Sequence, residues 1–374
     1  MADKKKQSKS VYITTNIACN LRCIYCYEKD KNDYTSFDLE QAKNTLSSVL
    51  KDISPSGTLV NFHGGEPFLS YLKIRELCEW SWCQDFPEKF TFFATSNGTL
   101  VHGEIQEWLF KNRKRFIVGL SLDGNRKMQN ENRSNSFDLI DIDFFTNTWP
   151  NQGVKMTISQ RSIYDLAKGV IYMHERGIKE IRANLAEMTD WSDGKYCDIY
   201  RNQLRKLSQY YLAHPEIQPC SLFDIRFSGV LNNDIRKWCG AGTEMLAIDV
   251  DGRKYPCHLF FESVCGKEKS KESANIDFSD PKQYISPVCS PCEFLPICPT
   301  CYGSNYISRG NIGMRDPNLC KLVKIRFAEV ALFQYQRIIN SDIAKLTDEE
   351  RYKDMRTLEA IEKLHVILNL DKIK

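Results

Sequence analysis

The alternation of strand-like and helix-like segments is the feature that most limits how this chain can fold. From position 11 to 214, six short β-rich runs alternate with amphipathic segments at helical spacing. Six β–α units in sequence predict a parallel sheet with helices outside, closed as a curved sheet or partial barrel. In such barrels the chemistry lies in the loops that follow the strands. The expected strands are 11–15, 59–63, 90–95, 116–122, 154–159 and 180–185.

The pattern changes after a predicted helix at 195–214. A cysteine-rich and turn-rich stretch follows at 238–320, with a hairpin signal at Asp251-Gly252, and helices are expected at 321–338 and 348–367. The predicted fold is therefore α/β: a partial (β/α)6 TIM-like barrel, a small cysteine-rich domain and C-terminal helices. The predicted division is a flexible N-terminal tail (1–10), the barrel (11–225), the cysteine-rich domain (226–325) and a C-terminal helical extension (326–374).

Composition excludes several classes of protein. The chain is 42% hydrophobic and 26% charged, which is typical of a soluble globular protein, and its net charge of +3 gives no reason to expect nucleic acid as a partner. No stretch reaches the roughly 18 apolar residues of a membrane span, and the first ten residues lack the apolar core of a signal peptide. The sequence thus predicts a cytoplasmic protein, in which disulfides would not last. Its 15 cysteines should instead be buried, reactive or bound to metal.

Three cysteines follow the first predicted strand: Cys19, Cys23 and Cys26. Thiolates separated by three and then two residues can wrap a loop around one cubane iron–sulfur cluster. Such a cluster takes four thiolate ligands, so three leave one iron open for a small molecule. A zinc knuckle would need a fourth ligand close by, and none follows before His63.

This motif, Cys-x-x-x-Cys-x-aromatic-Cys in the loop after strand one, resembles the signature of the radical S-adenosylmethionine (SAM) superfamily. The resemblance implies that the open iron of a [4Fe-4S] cluster binds the amino and carboxylate groups of SAM. An electron from the cluster would then cleave SAM to methionine and a 5′-deoxyadenosyl radical. By the same resemblance, Tyr25 lies against the adenine.

Three later loops are similar to the SAM site of the same family. The Gly-Gly-Glu-Pro run after strand two resembles a motif whose carboxylate holds the SAM ammonium group, and a Ser-Asn-Gly turn after strand three resembles the ribose side of the site. After strand four, a serine resembles a ribose contact and a later arginine resembles a clamp on the SAM carboxylate. For these two residues, a turn residue and a surface charge are the alternatives. The implied SAM-binding residues are Tyr25, Gly64, Gly65, Glu66, Ser96, Asn97, Ser121 and Arg133.

The later cysteines follow the spacing Cys-x12-Gly-x4-Cys, a gap, Cys-x2-Cys-x5-Cys-x2-Cys, a gap and Cys. This spacing resembles the SPASM domain, which carries auxiliary clusters in peptide- and protein-modifying radical SAM enzymes. The family usually has three residues between the last clustered pair, where this chain has two. The resemblance implies three [4Fe-4S] clusters in all. The outer auxiliary cluster would be held by Cys289, Cys292, Cys298 and Cys320, and the inner one by Cys239, Cys257 and Cys301.

Seven cysteines cannot supply eight ligands. Either an unusual ligand completes the inner cluster, with Cys265 or Cys220 as candidates, or one iron is open to a substrate thiolate or amide. A pair of zinc ribbons is the competing interpretation, because zinc sites also use paired Cys-x2-Cys motifs.

The substrate class also comes from resemblance. The run Tyr25-Cys26-Tyr27-Glu28, with His258, is most similar to maturases of ribosomally made peptides, which install thioether or carbon–carbon cross-links. Anaerobic sulfatase-maturing enzymes, which make formylglycine, carry an aspartate as general base where this chain has His258. This histidine is the candidate catalytic residue, since its ordinary pKa near ~6.5 suits proton transfer. A hydrogen bond to a cluster or to the barrel rim is the alternative role.

The predicted partners are a precursor peptide and an external one-electron reductant of the flavodoxin or ferredoxin type. Recognition of the peptide leader would fall to a separate protein or to the helical tail at 343–374, whose simpler role is packing across the barrel. Two further hypotheses remain open: modification of a small metabolite or RNA, and an iron–sulfur or zinc electron-transfer module without SAM chemistry.

Overall fold

The computed structural model describes residues 9–28, 31–54, 56–232, 235 and 237–368. All six predicted strands are confirmed, with ends that shift by one or two residues. The strands are β1 (Lys9–Asn16), β2 (Thr58–Gly64), β3 (Phe90–Ser96), β4 (Phe116–Leu120), β5 (Val154–Ile158), β6 (Ile181–Leu185), β7 (Met245–Ile248) and β8 (Lys254–Tyr255).

Helices alternate with β1 to β6 and then dominate the C-terminal part of the chain. They are α1 (Leu39–Val49), α2 (Tyr71–Trp82), α3 (Glu104–Asn112), α4 (Arg126–Asn132), α5 (Ile142–Thr148), α6 (Leu166–Glu175), α7 (Lys195–Ala213), α8 (Glu262–Cys265), α9 (Lys267–Glu272), α10 (Pro281–Tyr284), α11 (Tyr302–Arg309), α12 (Pro317–Ile339) and α13 (Asp348–Leu368).

The main sheet has the order β4-β3-β2-β1-β7-β8, and β5 and β6 form a separate parallel pair. The strands β1 to β4 run parallel, as the six β–α units predict. A single bridge between Ser121 and Lys155 joins the end of β4 to β5, so the wall curves without closing into a complete barrel. The predicted α/β fold with a partial barrel is therefore confirmed.

One strand from the cysteine-rich region belongs to the barrel sheet. β7 pairs in parallel with β1, with Val11 opposite Leu246, and the predicted hairpin turn at Asp251-Gly252 is confirmed by the antiparallel pairing of β7 with β8. The cysteine-rich region thus extends the sheet past β1 and does not simply follow the barrel.

Buried apolar side chains form two clusters. The larger one fills the space between the sheet and its helices, and it includes the stacked rings of Phe62 and Phe92, whose centroids are 5.3 Å apart. The smaller one, built around Phe260, Phe278 and Tyr306, supports the cysteine-rich region. Each of these regions therefore has apolar packing of its own.

The C-terminal helices pack on the barrel. Helix α12 lies along α7, and its buried Glu329 accepts a hydrogen bond from Arg205 at 3.0 Å and lies 3.6 Å from Arg201. Ala360 and Leu364 of α13 are fully buried in the larger core, and α13 contacts the 3₁₀ turn Phe227–Leu231. The described part of the tail therefore packs on α12 and this turn, and leader recognition by the tail stays a prediction. Residues 1–8 of the predicted flexible tail and 369–374 of the C-terminal extension lie outside the described residues.

None of the helices in the described ranges combines the length and the apolar character that a membrane span needs.

The ends of β1 and β2 are locked together where the chain leaves the sheet. The pairing register shifts between Thr14 and Asn16, and the Asn16 side chain donates hydrogen bonds to the Glu66 carbonyl (3.1 Å) and the Ser70 hydroxyl (3.0 Å). A Cβ atom on Gly65 would lie 2.1 Å from the Ala18 carbonyl oxygen, closer than real Cβ atoms approach. A side chain at Gly65 would therefore push apart the loops that follow the two strands.

Candidate active site

A cavity of about 590 Å³ lies at the carboxyl ends of the strands. Its walls come from the loops after β1 to β4, the end of β6, and the cysteine-rich region with the start of α12. The predicted site residues on its walls are Cys19, Cys23, Tyr25, Cys26, Gly64, Gly65, Glu66, Ser96, Asn97, Ser121, Arg133, Cys298, Cys301 and Cys320. The fold thus brings to one space residues that are distant in the sequence.

The loop after β1 presents three cysteine side chains to this cavity. Burial, with smaller contributions from Glu66 and Cys23, raises the pKa of Cys19 to about 11, and burial also raises the pKa of Cys23. The Cys19 sulfur accepts a backbone hydrogen bond from Leu21 (3.4 Å) and one from the Asn97 amide (3.9 Å). These donors stabilise a thiolate, which is the form that binds iron.

Glu66 is a buried carboxylate surrounded by neutral donors. The Ser96 hydroxyl and the Phe68 backbone N–H donate to Oε1 at 2.8 and 3.2 Å, and the Asn97 backbone N–H donates to Oε2 at 2.8 Å. Burial dominates over these bonds and raises the pKa of Glu66 to about 7. No lysine or arginine of the described residues forms an ion pair with this carboxylate within 4 Å. It is therefore a ready partner for a cation inside the cavity.

Arg133 is held by Asp123, whose side chain is completely buried. Its Nε lies 3.0 Å from Asp123 Oδ2 without the alignment of a hydrogen bond, and Tyr25 and Asn132 donate to the same oxygen. The guanidinium also lies 5.4 Å from the centre of the Tyr25 ring, and its Nη1 is 3.9 Å from the Cys23 sulfur. A fixed cation thus faces the cavity beside the cysteine loop, opposite in charge to Glu66.

The later cysteines gather into two groups. In the first, burial raises the pKa of Cys298 to about 11, with contributions from Cys320 and Cys292, and Cys289 contributes to the raised pKa of Cys320. In the second, burial and then Cys301 and Cys239 raise the pKa of Cys257. These mutual effects indicate that the members of each group lie near one another, and their role as ligands of two auxiliary clusters stays a prediction.

His258 lies behind the cavity. Its ring stacks on His63 with centroids 4.2 Å apart, and burial, with a smaller effect of Lys155, lowers its pKa to about 4. Tyr27 completes this group, since its hydroxyl is 3.2 Å from His63 Nε2. The described residues that line the cavity include His63 and Tyr27 but not His258. Its role as a catalytic base stays a prediction.

Cys220 packs in the larger apolar cluster, whereas the three cysteines of the inner group pack in or against the smaller one. A ligand role for Cys220 or Cys265 stays a prediction. Cys220 is buried, and its backbone N–H donates to the Tyr211 hydroxyl at 3.0 Å. The Cys265 thiol contacts the Gly266 carbonyl at 3.6 Å, at the end of α8. Among the described residues, no three His, Cys, Asp or Glu side chains are placed to hold a single metal ion.

Two acidic residues important to the site were not assigned roles by the sequence. Asp123, which holds Arg133, belongs to the run after strand four, yet a buried aspartate there looks like any turn residue. Glu187 lines the cavity just beyond β6 and accepts a hydrogen bond from Ser304 at 2.8 Å. Its position after a barrel strand was the signal that could have identified it.

The chain is similar to known proteins in sequence and in fold. A family described as a 4Fe-4S single cluster domain matches residues 10–138, the part that holds the first three cysteines. The chain is 23% identical over 317 residues to a cysteine-type anaerobic sulfatase-maturating enzyme of Clostridium perfringens, covering 75% of this chain and 84% of that protein.

Two solved structures share the fold. The structure of polyhistidine-tagged anSMEcpe with bound AdoMet superposes with a TM-score of 0.68 at 18% identity, covering 94% of this chain and 99% of that one. SuiB of Streptococcus suis, bound to precursor peptide SuiA, gives a TM-score of 0.53 at 17% identity, covering 84% of this chain and 76% of that one. The similarity therefore extends through the cysteine-rich region as well as the barrel.

Proposed function

We propose that the chain is a radical SAM protein of the SPASM type, which cleaves SAM reductively and uses the radical so formed to modify a peptide. The observation that carries this proposal is the cavity that joins three elements: the cysteine loop after β1, the opposed charges of Glu66 and Arg133, and the cysteine-rich region.

The residues present fit SAM and a cluster with one open iron. Three cysteines face the cavity, so a [4Fe-4S] cluster held by them keeps one iron for another ligand. Glu66 is buried without a cationic partner among the described residues, which suits an ammonium group. Arg133 supplies a fixed guanidinium for a carboxylate. When bound, the cluster and SAM would supply the radical chemistry that removes a hydrogen atom from the substrate.

The chain's own residues would bind and orient SAM. Glu66 would hold the ammonium end, while Arg133, fixed by Asp123, would hold the carboxylate end. Ser96, Asn97 and Ser121 would lie on the ribose side, and the Tyr25 ring would pack beside the adenine. The external one-electron reductant of flavodoxin or ferredoxin type remains part of the proposal, as does a separate leader-recognition protein.

A peptide is the substrate class that the comparisons favour. The similar SuiB structure holds a precursor peptide, and anSMEcpe has a similar fold. Among peptide modifications we favour a thioether or carbon–carbon cross-link, with the SPASM cysteines holding two auxiliary [4Fe-4S] clusters that accept the second electron. His258 stands where sulfatase-maturing enzymes carry an aspartate, which weighs against formylglycine formation.

Anaerobic reconstitution followed by reduction with dithionite tests the SAM chemistry. The protein should contain about twelve iron atoms per chain if all three cubanes form, and it should release 5′-deoxyadenosine from SAM. A Cys23→Ala variant is the matched control, since it should lose the SAM cluster and the 5′-deoxyadenosine while keeping about eight iron atoms. Wild-type protein that contains zinc in place of iron would contradict the proposal.

Co-expression with peptides encoded beside the gene tests the modification. A cross-link lowers the peptide mass by two hydrogens, and tandem mass spectrometry locates the two joined residues. The sulfatase-maturing alternative is favoured by the similar sulfatase-maturating enzyme of Clostridium perfringens. Under that alternative, a sulfatase peptide incubated with the protein would acquire formylglycine.

A further inference from the structure

The inner cysteine group leaves one cluster position without a protein thiol. Cys239, Cys257 and Cys301 supply three ligands and pack in or against the smaller apolar cluster, whereas Cys220 packs in the larger one and the Cys265 thiol contacts the Gly266 carbonyl at 3.6 Å. A cubane takes four protein ligands when it is fully coordinated. The remaining position is therefore open to a residue other than cysteine or to a molecule from outside the chain.

Cys301 is the member of the inner group that faces the cavity. Of the three inner cysteines, Cys301 lines the cavity, while Cys257 is buried behind it. Cys301 is also the N-cap of α11, and Ser304 lies in the first turn of that helix. The inner group therefore reaches the cavity at Cys301, beside the start of α11.

Glu187 lies on that same wall. It follows β6, lines the cavity, and is fixed by the Ser304 hydroxyl, which donates to its Oε2 at 2.8 Å. The carboxylate forms no ion pair within the described part of the chain, because nearby Arg309 pairs with Asp316 at 3.3 Å. One oxygen is therefore anchored by α11, and the other has no described protein partner.

We propose that Glu187 is the fourth ligand of the inner auxiliary cluster, completing the set formed by Cys239, Cys257 and Cys301. This inference rests on the proposed function, since it needs the auxiliary cluster to be present. A carboxylate is a known type of iron ligand, and iron–sulfur clusters accept ligands other than cysteine at single irons.

Substitution of Glu187 in the full-length, anaerobically reconstituted protein tests the assignment. Glu187→Cys offers a thiolate at the same position. It should keep the iron content of the wild type and shift the reduction potential of one auxiliary cluster to a lower value, because a thiolate donates more electron density. Glu187→Ala should lose iron from the inner cluster and give the electron paramagnetic resonance signal of a three-iron cluster.

Glu180→Gln is the matched control. Glu180 precedes β6, at the end of the strand away from the cavity, and forms a surface ion pair with Arg182. This variant should leave every cluster signal unchanged. If Glu187→Cys and Glu187→Ala both match the wild-type spectra and potentials, the ligand assignment is wrong.

A measurement on the wild-type protein shows which proposal fails: the Glu187 assignment alone, or the proposed function as well. Protein labelled with ¹³C at its glutamate carboxyl carbons should show ¹³C coupling to an auxiliary cluster in electron–nuclear double resonance, whatever the folding of the variants. Three clusters and 5′-deoxyadenosine without that coupling would overturn the Glu187 assignment alone. Wild-type protein without clusters would overturn both proposals.

Discussion

Glu66 shows how one residue's environment sets the conditions for ligand binding. Its carboxylate is buried among neutral donors, so its pKa rises from 4.5 to about 7. The folded protein then binds a proton more tightly than the unfolded chain does. Burial of this group therefore costs stability above pH 7, and the cost falls as the pH decreases toward 4.5. Binding of a cation becomes stronger as the pH increases, because it needs the charged carboxylate.

The affinity for SAM should consequently decrease below pH 7, because Glu66 becomes protonated. The decrease should be about tenfold for each pH unit below 7. Equilibrium dialysis of the reconstituted protein between pH 8 and 6 measures this effect. Glu66→Gln should bind SAM weakly at every pH. In the cluster-free protein, the free energy of unfolding should rise less on acidification in this variant than in the wild type. A pH profile that is the same in both proteins would exclude Glu66 as the partner of the ammonium group.

Arg133 offers a second test at the scale of one side chain. Replacement by lysine keeps the positive charge but loses the planar group that can bind a carboxylate through two hydrogen bonds. We expect the dissociation constant of SAM to rise about tenfold, which corresponds to about 1.4 kcal/mol. Arg126→Lys is a suitable control, because Arg126 begins α4, the helix that ends just before Arg133, and its side chain is exposed. If Arg133→Lys and Arg126→Lys bind SAM with equal affinity, Arg133 has a structural role only.

Individual residues differed in how far the sequence could identify them. The three cysteines after β1 were identifiable because a short loop fixes their spacing, and Glu66 because two glycines precede it. His258 was identified by its position next to Cys257, but the sequence could not reveal that its ring stacks on His63, far away in the chain. Contacts of that kind depend on the packing of the barrel against the cysteine-rich region.

At the scale of elements, hydrophobic periodicity predicted β1 to β6 and most of the long helices. The short helices α4 and α5 were missed, since each has only seven residues and too few turns to establish a period. The pairing of β7 with β1 was also missed, because β7 has four residues and its partner is fixed by tertiary packing. The local sequence indicates which residues form a strand, whereas the order of the strands in the sheet depends on tertiary packing.

The packing of α12 on α7 gives a prediction at this scale. Glu329 is buried, and its partners Arg201 and Arg205 are partly exposed. Glu329→Ala removes the acceptor and leaves the arginines at the helix interface, which should cost about 1–3 kcal/mol, less than for a fully buried pair. Circular dichroism should show a melting temperature several degrees lower. Glu359→Ala, on the exposed face of α13, should melt like the wild type.

For the whole molecule, the shared cavity predicts an ordered pattern of protection from hydrogen exchange. SAM alone should protect the loops at 19–26, 64–66 and 96–98, whose residues line one side of the cavity. A peptide substrate should add protection at 187–188 and 298–301 on the opposite side. At ligand concentrations 100 times the dissociation constant, exchange should slow by up to about a hundredfold. Protection confined to the barrel after peptide addition would mean that the peptide binds elsewhere.

The place of β7 in the main sheet affects how the chain emerges during synthesis. β1 is made first, but one of its two edges has no neighbour until Leu246 and the residues beside it leave the ribosome. At about 5–20 residues per second, that edge stays open for on the order of ten seconds or longer. During this interval the nascent barrel carries unpaired backbone groups that could join the wrong strand. Arrival of the cysteine-rich segment therefore covers the edge as well as bringing the later thiols into position.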